Sequence, residues 1–353
     1  MRLKNVLVAF GVLAIILTII PLFTANYWWI RIFDFPHGQL TALTLLAILF
    51  YFFRFDIRSK KDYGFMIILS ACFIFQMTKI VPYTPFSSYE VKNATSKKNT
   101  ISILASNVLQ KNDHYIKLKN RITEQNPDLV LLMEANETWK DSMASILKSY
   151  SYRVECPLEN TYGMLLYSKK KLFNPEINFL ISDSIPSIHA KLKMDSGAII
   201  QLYATHPTPP TPQHNPRSTD RDGEMMLIAK KARENDLPIL VIGDFNDVAW
   251  SQTTQEFQKI SGLLDPRIGR GFFSTYNANN FLLRWPLDHM FSSEHFGLNE
   301  IERLKDIGSD HFPIYAKFNL ENYTRTKRKV PKLKQKEVEK INEEIEKAKE
   351  DEG

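Results

Sequence analysis

The sequence predicts an α/β layered domain preceded by a membrane region of about three helices. Three observations carry this. Long apolar runs are confined to the part before residue 85. Beyond residue 100, short apolar runs alternate with amphipathic stretches, the pattern of strands layered with helices. Polar residues recur where those short runs end.

The apolar runs cover about 5–23, 36–53 and 63–81 within a membrane region of residues 1–83. A spanning helix needs roughly 20 apolar residues, with about 17 as a working minimum. The first run is longer than the core of a cleaved leader, and Ile20-Pro21-Leu22-Phe23 lacks a small-residue cleavage pattern. Tyr27, Trp28 and Trp29 fit an aromatic belt at a membrane surface. Arg2 and Lys4 precede the first run, and Arg54, Arg58, Lys60 and Lys61 separate the second from the third, whereas 24–39 carries only Arg31 among arginines and lysines. Basic flanks stay cytoplasmic, so the sequence predicts an integral protein of the cell (inner) membrane with everything after Val81 extracytoplasmic.

Residues 84–99 read as a linker rich in Pro, Ser, Thr, Asn and Lys. The domain proper is placed at 100–320. Ile101–Ser106, Leu129–Met133, Ile199–Thr205, Ile239–Ile242 and Pro313–Phe318 read as buried strands, and Tyr115–Glu124 and Asp220–Arg233 as helices. Residues 321–353 form a charged tail whose Lys334–Glu350 stretch reads as a solvated or frayed helix.

Composition narrows the chemistry. The net charge of +6 gathers around the apolar runs and in the tail, so the basic balance carries no argument for nucleic acid. Two cysteines, Cys72 and Cys156, exclude a cysteine-built metal centre.

The polar residues at the strand ends are Asn107, Glu134, His206, Asp244, Asn246, Asp288, Asp310 and His311. Carboxylate and amide oxygens are hard ligands suited to Mg²⁺ or Mn²⁺. Histidines supply acid, base or positive charge near neutral pH. Phosphoester cleavage needs an oriented water, a neutralised phosphate and a protonated leaving oxygen, all within this inventory. Arg221, opening a helix after the Pro-rich stretch Pro207–Pro216, is either a phosphate clamp or a solvated side chain. Trp250 is read as core. The stretch Phe272, Phe273, Tyr276, Phe281, Leu282, Leu283, Trp285 is either core or a membrane-facing, substrate-gating loop.

Gly243-Asp244-Phe245-Asn246 and Ser309-Asp310-His311-Phe312-Pro313-Ile314, supported by Ser106-Asn107-Val108, the Asp128–Glu134 strand, Thr205-His206-Pro207 and Leu287-Asp288-His289, resemble the endonuclease/exonuclease/phosphatase superfamily over Thr100–Leu320. The three apolar runs with His206-Pro-Thr-Pro-Pro resemble its bacterial membrane-anchored members. The resemblance implies a four-layer α/β sandwich, two mixed and largely antiparallel sheets flanked by helices. It implies Asn107, Glu134 and Asp310 as metal ligands, Asp244 and Asn246 on the attacking water, His311 held by Asp288 on the phosphate, and His206 on the pentacovalent state or leaving group. Some family nucleases pair the first histidine with a glutamate; near Tyr162-Gly163-Met164 there is no equivalent, and Glu159 is a poor substitute.

The expected function is a membrane-anchored, Mg²⁺- or Mn²⁺-dependent phosphoesterase working by in-line attack of water. Its partners are the membrane and a phosphate-ester substrate, with no obligate protein partner. Nucleic acid and a sphingomyelinase-like lipid head group compete as substrate. A binding module without catalysis is disfavoured because no functional position is lost, and a soluble intracellular repair endonuclease is disfavoured by the apolar runs.

Overall fold

The computed structural model describes residues 2–23, 25–212, 215–321, 330 and 332–351. The basic stretch at 325–329, Gln213 and His214 of the Pro-rich loop, and Thr24 lie outside the described residues.

The N-terminal region contains α1 (Arg2–Ile19), the short α2 (Trp28–Arg31), α3 (His37–Phe52) and α4 (Lys60–Ile80). With their 3₁₀ extensions, α1 and α4 are long and apolar enough to cross a membrane. The 16 residues of α3 fall short of that. They reach it only together with Trp28–Asp34, set at 69° to α3. The helices pack on small residues. Ala14, Ala47 and Leu69 are buried together, and a Cβ on Gly11 would come within 2.5 Å of the Phe65 ring. Between α1 and α4, Gln76 Nε2 donates to Thr18 Oγ1 at 2.6 Å. Lys4 pairs with Asp62 at 2.5 Å at the end away from the large domain, while Asn26–Gln39 and Pro82–Tyr83 meet that domain at the other end.

The domain runs through β1 (Thr100–Asn107), α5 (Tyr115–Gln125), β2 (Leu129–Met133), α6 (Glu137–Leu147), β3 (Tyr152–Cys156), β4 (Met164–Ser168), β5 (Leu172–Phe179), β6 (Pro186–Lys193) and β7 (Ile199–Thr205). It continues with α7 (Thr219–Glu234), β8 (Ile239–Asp244), α8 (Gln252–Ser261), β9 (Asp288–Ser292), β10 (Phe296–Arg303) and β11 (Ile314–Leu320). One sheet has the order β10-β11-β1-β2-β4-β3 and the other β5-β6-β7-β8-β9. Each holds one parallel pair, β1/β2 and β7/β8, among antiparallel neighbours. The sheets pack face to face through Ile103, Leu131, Leu202, Ile242 and Ile314. Helices α5 and α6 cover one outer face through Leu118, Trp139 and Met143, and α7 and α8 the other through Met226 and Phe257. This is the predicted four-layer sandwich. Strands buried on both faces show continuous apolar runs rather than alternation, which is why they were legible.

The tail differs from expectation. Its helix α9 (Gln335–Asp351) is not merely solvated, because Ile341, Ile345 and Ala348 are buried against α7. Gly223 permits the approach: a Cβ there would come within 2.3 Å of the Ala348 Cβ. Glutamates and lysines on the exposed face hid this narrow apolar stripe.

Candidate active site

Sheet register brings the polar strand ends together. Asn107 ends β1, and Glu134 follows β2, its parallel neighbour. Thr205 at the end of β7 lies opposite Gly243 in β8, so His206 and Asp244 emerge side by side. That pairing needs glycine: φ at Gly243 is 149°, and a Cβ would sit 1.8 Å from the Thr205 carbonyl oxygen. Antiparallel β9 sets Asp288 opposite Asp244. Ile314 pairs with Ala105, which brings His311 beside the end of β1. Glu134 and Asn246 hold left-handed φ values of 58° and 51°, conformations that cost energy in non-glycine residues and concentrate at functional sites.

Asp244 is the hub. Its Oδ2 accepts from Asn107 Nδ2 at 3.0 Å and faces His311 Nε2 at 3.5 Å and His206 Nε2 at 3.8 Å. Asn107 Nδ2 also donates to Glu134 Oε1 at 2.8 Å. His311 Nδ1 lies 2.9 Å from Asp288 Oδ2. Ser309 Oγ donates to the Asn107 carbonyl at 2.8 Å and accepts from His311 N at 3.0 Å, tying the histidine's loop to β1. Asn246 Nδ2 donates to the Pro207 carbonyl at 2.9 Å.

The two histidines are driven apart electrostatically. Burial works against charge on His311, but the carboxylates of Asp244 and Asp288 outweigh it and push the ring up to about 10. His206 is buried with only Asp244 in partial compensation, so burial lowers its pKa and the ring is neutral at neutral pH. No described hydrogen bond reaches its Nδ1. The sequence offered no glutamate for that nitrogen, and the structure brings the ring of Tyr162 to 5.5 Å instead. Glu159 is turned to Gln110 and Asn136.

Of the three expected metal ligands, Glu134 and Asp310 line one cleft and offer carboxylate oxygens to a divalent cation, whereas Asn107 turns Nδ2 toward Glu134 and Asp244 and its Oδ1 accepts from Leu109 N at 3.1 Å. Burial pushes the Glu134 carboxyl up to about 7 against the Asn107 hydrogen bond, and a cation is the group that would hold such a carboxylate ionised. Asp244, Asp288 and His311 also present ligand atoms within 4.8 Å of one another. Their bonding reads instead as a histidine clamped between carboxylates, since His311 Nδ1 is taken by Asp288.

Arg221 does not stand where a phosphate clamp would. It is 1% exposed, neither solvated nor facing the cleft. Its guanidinium contacts Asp222 Oδ1 at 2.8 Å and Asp247 Oδ2 at 3.3 Å and donates to the Asn246 carbonyl at 2.9 Å, bracing the Asn246 turn from beneath. Trp250 is core, its Nε1 donating to the Asp34 carbonyl at 2.8 Å. The aromatic stretch is divided. Tyr276 packs on His311 at 5.0 Å and stacks on Trp285, while Phe281 and Leu282 are exposed.

Site-lining residues that the sequence did not reveal come from the N-terminal region. A cleft of about 370 Å³ is lined by Glu134, Asn246, Asp310 and His311 on one side and by Trp28, Arg31, Ile32 and Phe35 on the other. No spacing in the sequence links residues 28–35 to motifs some 100 to 280 positions further on.

No curated protein matches the chain. Among solved structures, TDP2 of D. rerio complexed with a single-strand DNA product aligns with a TM-score of 0.53 at 19% identity, over 62% of this chain and 99% of that one. The human Nocturnin catalytic domain with bound sulfate gives 0.51 at 17%, over 62% and 94%. An endonuclease/exonuclease/phosphatase family protein from Bacteroides thetaiotaomicron gives 0.52 at 16%, over 64% and 100%. The sequence model of the Endonuclease/Exonuclease/phosphatase family matches residues 102–311. With that match spanning more than half of the chain, and with the two-sheet sandwich in place, the chain belongs to the endonuclease/exonuclease/phosphatase family.

Proposed function

We propose that the chain is a membrane-anchored, Mg²⁺- or Mn²⁺-dependent hydrolase of phosphate esters. The observation that carries this reading is the convergence on Asp244 Oδ2 of Asn107, His206 and His311, with Glu134, Asn246, Asp288 and Asp310 around them. Glu134 and Asp310, with Asn107 once its amide turns Oδ1 inward, would hold the cation, which when bound neutralises phosphate charge and lowers the pKa of water.

The remaining work belongs to side chains. Asp244 takes the proton of the attacking water. Asn246, whose amide nitrogen is committed to Pro207, keeps Oδ1 for that water. As the water oxygen joins phosphorus in line, the bond to the leaving oxygen breaks. His311, protonated and steered by Asp288, balances charge on the phosphoryl oxygens and is the proton source of the pair. His206, neutral, contributes a hydrogen bond rather than a charge.

Anchoring is supported by the apolar helices and by the fixed arrangement of their ends. Arg2, Lys4, Arg54, Arg58, Lys60 and Lys61 gather at the end opposite the domain, so the positive-inside tendency assigns the domain to the extracytoplasmic side. The test is hydrolysis of bis-p-nitrophenyl phosphate by the full chain in detergent with Mg²⁺, Mn²⁺ or EDTA. Metal-dependent turnover abolished by EDTA is expected. A folded chain without metal-dependent turnover of any phosphate ester would overturn the reading.

A further inference from the structure

We infer that the segment between the first two apolar helices completes the active site, and that the cleft so formed takes the phosphate ester of a membrane amphiphile. The inference rests on the hydrolytic reading of the site. It names the substrate class.

The segment is built into the domain rather than resting near it. Trp28 N donates to the Pro216 carbonyl at 2.8 Å, and Ser218 N to the Asn26 carbonyl at 2.6 Å. Arg31 lies 3.7 Å from Asp222, the same residue that holds Arg221 under the Asn246 turn. Phe35 meets the edge of Trp285 at 5.5 Å. These contacts fix Trp28, Ile32 and Phe35 as one wall of the cleft whose other wall carries Glu134, Asp310 and His311.

The cleft is therefore amphipathic. Its lining divides between the carboxylates of Glu134 and Asp310 with the imidazole of His311, and the apolar side chains of Trp28, Ile32, Phe35, Pro209, Trp285 and Leu287. A lipid phosphate ester has the same division. A nucleic-acid backbone is held by a row of cations, and among the described residues lining the cleft Arg31 is the one arginine or lysine. Ile32 is 51% exposed, leaving apolar surface for a chain to cover.

Position agrees with composition. Phe281 and Leu282, 82% and 73% exposed, form the tip of the loop bearing Tyr276 and Trp285. Gln39 Nε2 in the first turn of α3 donates to the Leu282 carbonyl at 2.7 Å. The apolar tip thus lies level with the start of an apolar helix, where a membrane surface would be.

The experiment uses the full chain in nanodiscs with a series of phosphodiesters that share one head group and carry alkyl chains of increasing length, plus single-stranded DNA. For the wild type, kcat/KM is expected to rise at least tenfold from the shortest to the longest chain, and to exceed that for DNA. In Ile32→Asn and in Trp28→Ala the rise is expected to flatten, so that long and short esters are cleaved at similar efficiency. Turnover of the short ester with no chain-length dependence, or DNA as the preferred substrate, would overturn the amphiphile inference while leaving the hydrolytic reading intact. Absence of turnover on every ester would instead strike the hydrolytic reading itself. Retained membrane insertion and unchanged circular dichroism of both variants separate a lost wall from a lost fold.

Discussion

Asp288 Oδ2 sits 2.9 Å from His311 Nδ1, which aims the opposite nitrogen, Nε2, at Asp244 Oδ2 3.5 Å away. A buried imidazole between two carboxylates keeps its proton at physiological pH, and that charge is what a phosphate-binding cleft requires.

Replacing Asp288 with asparagine keeps the shape and removes one of those carboxylates. The Asp288→Asn variant is expected to lose about 10²–10⁴-fold in kcat. The alkaline limb of its pH–rate profile should move to lower pH, because the carboxylates raise His311 to about 10 against the cost of burial. A pH–rate profile of both proteins checks this.

Gly243 is a backbone requirement. In Gly243→Ala the added Cβ would sit 1.8 Å from the Thr205 carbonyl oxygen, so β7 and β8 must part where His206 and Asp244 emerge. A loss of at least about 2 kcal/mol is expected, together with activity. Thermal unfolding measures the first and turnover the second.

Glu224 accepts a hydrogen bond from Thr205 Oγ1 in a buried site, and burial pushes its carboxyl from an ordinary 4.5 up to about 7. Below pH 4.5 both folded and unfolded forms are protonated and the residue costs nothing. Between 4.5 and 7 the folded form keeps a proton that the unfolded form gives up, so stability falls as pH rises and levels off above 7. Glu224→Gln should match the wild type at pH 4 and be more stable at pH 8 by up to about 3 kcal/mol. Thermal unfolding at the two pH values decides.

The docked tail makes its own prediction. Ile341→Asp and Ile345→Asp place charge in a buried contact with α7 and should release α9. Limited proteolysis is expected to remove the tail faster in both variants while the domain persists. Equal cleavage of wild type and variants would mean that α9 is not docked.

Much of this arrangement was legible in the sequence, for physical reasons. Strands buried on both faces, such as Leu129–Met133 and Ile239–Asp244, carry apolar runs that few alternatives satisfy. The polar residues after them, Asn107, Glu134, His206 and Asp244, therefore stood out. Strand β5 did not, because an edge strand exposed along Asn174–Ile177 has no apolar run to show. Strand β10 likewise alternates burial over its second half. Helix α9 was legible as a helix but not as a packed one, since its buried stripe is narrow amid Glu and Lys. Arg221 shows the limit of reading a motif by proximity: its position in the chain was suggestive, but Asp222 and Asp247 claim its guanidinium. The wall formed by Trp28 and Phe35 had no local signal, because it exists only once the N-terminal segment meets Pro216 and Trp285.

The most direct measurement is the Mn²⁺-dependent hydrolysis rate of bis-p-nitrophenyl phosphate by the full chain beside Glu134→Ala and His311→Ala. This arrangement of Glu134 and His311 predicts a rate at least about 10²-fold lower in each variant, with helical content unchanged. Variants that fold and hydrolyse the ester as fast as the wild type would contradict it.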